Sequence, residues 1–201
     1  MAVSRGDRQE RSRERRDQLL RATIDLIAER GMKAVTHRAV SAAAGLPSAA
    51  AGYYFATIAE LIEQALDYHV RQRVAQLTAV LGAATEGLTE PGPIADAVAR
   101  ALITSATRDG LAQYEVYLEA ARNPELRASV ARSMAAFEEV AAARLAALGA
   151  RDPGHAAKAF VALADGFALH RLAFPQSFDT DLRLLREGLR GLFLSYTTDE
   201  S

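Results

Sequence analysis

Thr36, His37, Arg38, Ser48, Tyr53 and Tyr54 are crowded into one stretch, THRAVSAAAGLPSAAAGYYF, that is otherwise mostly alanine, glycine and a few apolar residues. Their chemistry is hydrogen bonding and charge rather than bond-breaking. Hydroxyls, phenols, an imidazole and a guanidinium can hold phosphate oxygens or reach a base edge. Ala49 and Ala50 stand among them and offer only methyls, which touch thymine methyl groups or let a backbone come close. No catalytic pattern competes. Cysteine is absent, which removes disulfides, thiolate catalysis and cysteine metal sites. The four histidines, at 37, 69, 155 and 170, stand in no H-E-x-x-H or comparable metal spacing. No G-x-S-x-G, G-x-G-x-x-G or P-loop occurs, so no enzyme, metal or cofactor is expected.

Two short helices and a turn must position these groups. Thr36 is suited to N-cap the first helix. Gly45 stops it, because a left-handed C′ position is easily adopted by glycine. Leu46 is placed to plug the junction, Pro47 fits the turn, and Ser48 is expected to cap a second helix over residues 48–54. Thr57 and Glu60 form a T-x-x-E capping box for the helix that follows. The pattern is that of a helix-turn-helix, in which one helix crosses the DNA backbone and the next enters the major groove. Phe55 is read as a core residue, and one of the adjacent Tyr53 and Tyr54 is expected to pack inward, since neighbours on a helix point about 100° apart.

Upstream, residues 17–30 place Leu20, Ile24 and Ile27 on one stripe, and Gly31 ends that helix. Residues 1–16 read as a disorder-prone, arginine-rich arm. Residues 1–38 carry ten basic and six acidic side chains, a balance of +4 in a chain of net charge −1. Positive charge beside a reading motif is the footprint of a polyanion binder. The arm is expected to enter a neighbouring minor groove, where narrow A/T-rich tracts attract arginine.

Residues 17–70 resemble the DNA-binding domain of the TetR family of bacterial transcriptional regulators. The likeness rests on helix 17–30, the Gly31–Val35 link, the run from Thr36 to Gly45, the Tyr53-Tyr54-Phe55 ending and the long helix from Thr57. The resemblance implies an all-α fold with an N-terminal three-helix DNA-binding domain and a C-terminal helical domain for ligand binding and dimerisation. It implies a homodimer on a palindromic double-stranded operator, released by a small-molecule effector, and a repressor more than an activator. The expected organisation is an arm at 1–16, a helix-turn-helix domain at 17–56 with its motif at 36–55, and an effector-binding and dimerisation domain at 57–201. Two departures stand out. Alanines occupy most of the helix that should read bases, and Ile58 replaces the lysine that often follows the motif in the family.

Beyond residue 56 the sequence predicts helices at 57–81, 93–107, 110–122, 124–148, 154–173 and 179–196. They are separated by Gly82–Pro93, Asp109-Gly110, Asn123-Pro124, Asp152-Pro153-Gly154 and Pro175. The last two helices carry more apolar surface than one core needs, which points to a partner face made by Phe160, Phe167, Leu182, Leu185, Leu189, Leu192 and Phe193. Candidates for the effector pocket are Tyr68, Thr104, Tyr114, Tyr117 and Phe137. Few charges lie on the inward faces, so a hydrophobic effector is expected. No run of about 18 uninterrupted apolar residues is present, so no membrane partner is expected. The charged N-terminus and the lack of cysteine fit a cytoplasmic protein. The competing class is a helical dimeric module whose residues 36–55 bind protein rather than DNA.

Overall fold

Alanine, leucine, arginine and glutamate are strong helix formers and abound here, and glycine or proline breaks the chain at intervals. The computed structural model describes residues 5–106 and 110–197, and over them every regular element is helical. Among the described residues the α-helices are α1 Arg5–Arg30, α2 His37–Ala43, α3 Ala50–Tyr54, α4 Ile58–Ala84, α5 Pro91–Ser105, α6 Gly110–Arg122, α7 Arg127–Ala147, α8 Pro153–Ala173 and α9 Phe178–Thr197. Short 3-10 turns lie at Met32–Ala34 and Pro124–Leu126. No described helix is long and apolar enough to cross a membrane.

The described residues form two compact units. The first takes those up to Arg71 and those from 110 to Ser133. The second takes 72–106 and 134–197. In the first, α1 packs against α2 and α6, and α2 against α3. Leu19, Leu20, Ile27, Val40, Phe55, Leu61 and Leu66 are fully buried there. Each such side chain contributes about 1.5–3 kcal/mol of transfer free energy. In the second unit α9 packs against α5 and α8. Leu182, Leu185 and Leu189 of α9 cluster with Ala95, Ala99 and Ile103 of α5. Phe193 joins Ile94, Leu145, Ala156 and Ala157 in a second cluster. Asp181 is buried at the start of α9 and ion-pairs with Arg171 Nε at 2.7 Å, while Arg171 also donates to the Ile103 carbonyl at 3.2 Å.

Four expectations need correcting. Residues 5–16 are not a disordered arm but the first turns of α1. Arginine and glutamate favour helix, Asp7 sits in the favourable first turn, Arg11 Nε donates to the Asp7 carbonyl at 3.2 Å, and the packed turns from Leu19 onward spare the segment a separate nucleation. A helix about 10–12 Å across is wider than a minor groove of about 6 Å, so residues 5–16 do not lie in that groove as an extended strand would, and residues 1–4 of the expected arm lie outside the described residues. Secondly, α5 starts at Pro91 rather than 93, because proline is tolerated in a first turn, and α4 runs through Gly82 to Ala84. Thirdly, residues 57–201 do not make one unit: α6 and the first part of α7 belong with the N-terminal unit. Fourthly, Leu182, Leu185, Leu189 and Phe193 do not form a partner face. They are buried within their own chain, because the apolar stripe of α9 is turned onto α5 and onto the α8 residues Ala156 and Ala157. Phe160 and Phe167 are half-buried against the same clusters, and Leu192 is half-buried.

Candidate nucleic-acid interface

The motif is held together by its helix ends. Thr36 is extended and its Oγ1 accepts the Ala39 amide at 3.1 Å, as an N-cap should. At the other end of α2, Gly45 has φ +65°. Its amide donates to the Ala42 carbonyl at 3.0 Å and the Leu46 amide to the Ser41 carbonyl at 2.9 Å. That pair of bonds is a Schellman motif, which turns the chain sharply out of the helix. Gln18 of α1 reaches across and donates to the Ala44 carbonyl at 2.7 Å, closing another free end. Leu46 is half-buried at the junction.

The second helix is capped differently from expectation. α3 begins at Ala50, with Ala49 at the N-cap position and no side-chain cap, and Ser48 lies exposed in the preceding turn. The cap comes instead from Ser41 of α2. Its Oγ is fully buried and accepts the amide of Ala51, itself fully buried, at 3.0 Å. A helix this short leaves most of its N-terminal amides without internal partners, so a partner lent by the neighbouring helix fixes the angle between the two rods. Ser48 does not cap because it and Ala49 form the turn before α3 starts at Ala50.

The face of α3 away from the core carries Ala49, Gly52 and Tyr53, all exposed. Tyr53 is 81% exposed, a large aromatic surface left open beside the motif. Tyr54 is half-buried, lies edge-on to Tyr53 at 5.1 Å, and shares a 3.2 Å hydroxyl bond with Ser12 of α1. Ala50 is half-buried, Ala51 is core, and Phe55 is fully buried with the Arg16 guanidinium 5.6 Å above its ring. Arg38 is exposed and carries no ion pair among the described residues. His37 is half-buried, and its Nε2 is buried without a hydrogen-bond partner. The exposed Thr36 is occupied by its own cap bond.

The capping box opens α4. The Glu60 amide donates to Thr57 Oγ1 at 3.0 Å, and Glu60 Oε2 accepts the Ala56 amide at 2.8 Å, one residue further back than the usual box. Gln64 donates to Glu60 at 2.8 Å and accepts from Arg16. Ser12, Arg16, Gln18, Ser41 and Gln64 thus lock α1, α2, α3 and α4 around the motif. Sequence reading missed all five, since each acts on a residue far along the chain. The spacing of Ser12 and Arg16, one helical turn apart, was the available signal.

The expected effector residues divide. Tyr68, Tyr114 and Tyr117 are half-buried in the first unit, where the two α6 tyrosines lie edge-on at 6.2 Å and Tyr117 accepts from the buried Gln113 at 3.0 Å. Phe137 is half-buried in the second unit. Thr104, also in the second unit, is exposed, and its hydroxyl donates to the Arg100 carbonyl at 2.7 Å. A surface groove of about 640 Å³ in the second unit is lined by Gly92, Pro93, Asp96, Arg186, Glu187, Arg190 and Gly191. It contains none of the expected residues.

A short, doubly capped pair of helices with an exposed second rod defines a helix-turn-helix DNA-binding protein. The sequence pattern of the bacterial regulatory proteins, tetR family, matches residues 19–65, and that of the tetracyclin repressor-like C-terminal domain matches residues 89–195. The chain therefore belongs to the TetR family of transcriptional regulators, which are transcription factors and not enzymes. It is similar to a TetR-family member from Streptomyces coelicolor A3 at 33% identity, over 89% of this chain and 98% of that one, with a TM-score of 0.66. It is similar to the multidrug binding protein EbrR, solved with ethidium, at 32% identity, over 89% and 98%, with a TM-score of 0.65. A TetR-family transcriptional regulator from Streptomyces coelicolor shares the fold at 20% identity, over 92% and 97%, with a TM-score of 0.67. No curated protein matches the chain.

Proposed function

We propose that this chain is a ligand-responsive repressor that binds a palindromic operator as a homodimer. The observation that carries the reading is the exposed face of α3, where Ala49, Gly52 and Tyr53 stand open while Ala51 and Phe55 anchor the rod from below. Tyr53 and Arg38 contact phosphates and fix register, and Ala49 and Ala50 touch thymine methyls. The helix is poor in bidentate donors, so base discrimination is modest and backbone contacts carry much of the affinity.

The partner face consists of apolar side chains that the chain leaves uncovered: Leu169, Leu172 and Phe174 at the end of α8, with Phe178 and Leu184 of α9. All are at least 41% exposed. An apolar patch of this kind marks an association surface. The effector is a small, largely apolar molecule. Tyr68, Tyr114 and Tyr117 supply aromatic surface for it, and the ethidium and proflavin complexes of EbrR support a planar aromatic ligand. Titrating the full chain into labelled random duplex at low and high salt tests the reading. Binding that weakens steeply with salt supports it, and indifference to duplex at low salt refutes it.

A further inference from the structure

The charges of residues 7–17 look interspersed along the chain, and a helix sorts them. With about 100° per residue, take the direction of Ser12 as zero. Arg8, Arg11, Arg13, Arg15 and Arg16 then all fall within about 100° of it, whereas Asp7, Glu10, Glu14 and Asp17 fall at about 140–160° on the opposite side. Ser12 points at Tyr54, the last residue of α3. Further along α1, the fully buried Leu19, Leu20, Thr23 and Ile27 share the same side. The stripe that faces the core thus continues toward the N-terminus as an arginine stripe, on the side of α1 that meets the end of the reading helix. Arg16 is held by Gln64 and the Phe55 ring. Arg8, Arg13 and Arg15 are exposed and carry no ion pair among the described residues, and Arg11 bonds only the Asp7 carbonyl.

We infer that the N-terminal turns of α1 form a rigid basic limb that grips the phosphate backbone of duplex DNA flanking the groove read by α3. The inference rests on the DNA-binding reading above and specifies which other surface shares the duplex. Arg8, Arg11 and Arg15 lie within about 60° of one another and rise about 10 Å along the helix. That span is about three phosphate steps at 3.4 Å of duplex axis per strand. The acidic face points away and keeps the limb from lying on the wrong side. Because the limb is a helix docked through Ser12 and Arg16, it contacts phosphates and carries no base preference.

The test compares salt slopes of binding to a labelled random-sequence duplex, using the full chain. The triple variant R8Q/R11Q/R15Q keeps helix propensity, since glutamine is a good helix former. Loss of three phosphate contacts in each subunit, six in the homodimer, lowers the slope of log K against log salt by about 5.4, so that between 50 and 200 mM salt the variant loses about 1,800-fold less affinity than the parent. R8K/R11K/R15K restores the parental slope. E10Q/E14Q, which changes the net charge of each chain by +2 against −3 for the triple variant, leaves the slope unchanged. A triple variant of native helicity that binds with the parental slope overturns the limb while leaving the helix-turn-helix intact. So does a slope that follows net charge in all the variants. A parental chain that ignores duplex at low salt overturns both readings together.

Discussion

Replacing Ser41 by alanine isolates the contact on which the geometry of the motif depends. Ser41 Oγ and the Ala51 amide are 3.0 Å apart, and both residues are fully buried, so water cannot replace the lost acceptor. The amide sits in the first turn of α3, where no earlier carbonyl is available within the helix. A buried donor left without a partner costs about 1–3 kcal/mol. The middle of that range, about 2 kcal/mol, changes the folded-to-unfolded ratio by roughly 30-fold. With a urea m-value of about 2 kcal/mol/M, the midpoint falls by roughly 1 M at unchanged m. Urea unfolding followed by circular dichroism measures this, and amide exchange at Ala51 gives a local reading that should accelerate by a similar factor. Ser48→Ala is the matched control, because Ser48 is the serine that local sequence rules nominate as the cap, and it should leave the midpoint where it was. A parental midpoint for Ser41→Ala, or an equal loss for Ser48→Ala, would show that α3 is capped locally and that the cross-helix bond is idle.

The remaining predictions concern other links in the same argument. Gly45→Ala meets no neighbour within 4 Å but must hold φ near +65°, so it should destabilise the first unit by about 1–2 kcal/mol in the same urea assay. Gly52→Ala has open space and ordinary helical φ, so it should stabilise α3 by roughly 0.5–1 kcal/mol while weakening duplex binding by filling the exposed face. Asp181→Ala strips the buried partner from Arg171, whose side chain is 31% exposed and stays hydrated, and should cost the second unit about 1–2 kcal/mol while duplex binding at low temperature survives. Phe174→Asp with Leu184→Asp should shift the protein from dimer to monomer in sedimentation at micromolar concentration, whereas a variant pair that stays dimeric would move the interface elsewhere. Added ethidium, with no DNA present, should raise the melting temperature in proportion to the logarithm of its concentration once saturating, and an unchanged melt would remove it as an effector type.

The helix order was legible in the sequence wherever signals are local. Thr36, Gly45 and the Thr57–Glu60 pair act within a few residues of themselves, and each occupies the role its type suggests. Ser41 escaped notice because its partner lies ten positions on and only the turn brings them together. Residues 5–16 were misread as an arm because alternating charges along a line resemble a solvated tail, and only the helical phase separates arginine from carboxylate. The α9 leucines were misassigned for a different reason. An amphipathic stripe announces that it will be buried but not against what, and here α5 supplies the neighbour. The core role of Phe55 was legible, and so was a split between Tyr53 and Tyr54, since neighbours on a helix point about 100° apart and cannot both face inward.

The account is tested most directly by selecting bound sequences from a random duplex pool with the full chain. Two reading heads related by a two-fold axis predict convergence on an inverted repeat whose half-site centres lie one helical turn, about 34–36 Å, apart, with thymine favoured where Ala49 and Ala50 approach. A pool that shows no enrichment, or enrichment of a single unpaired half-site, would contradict it.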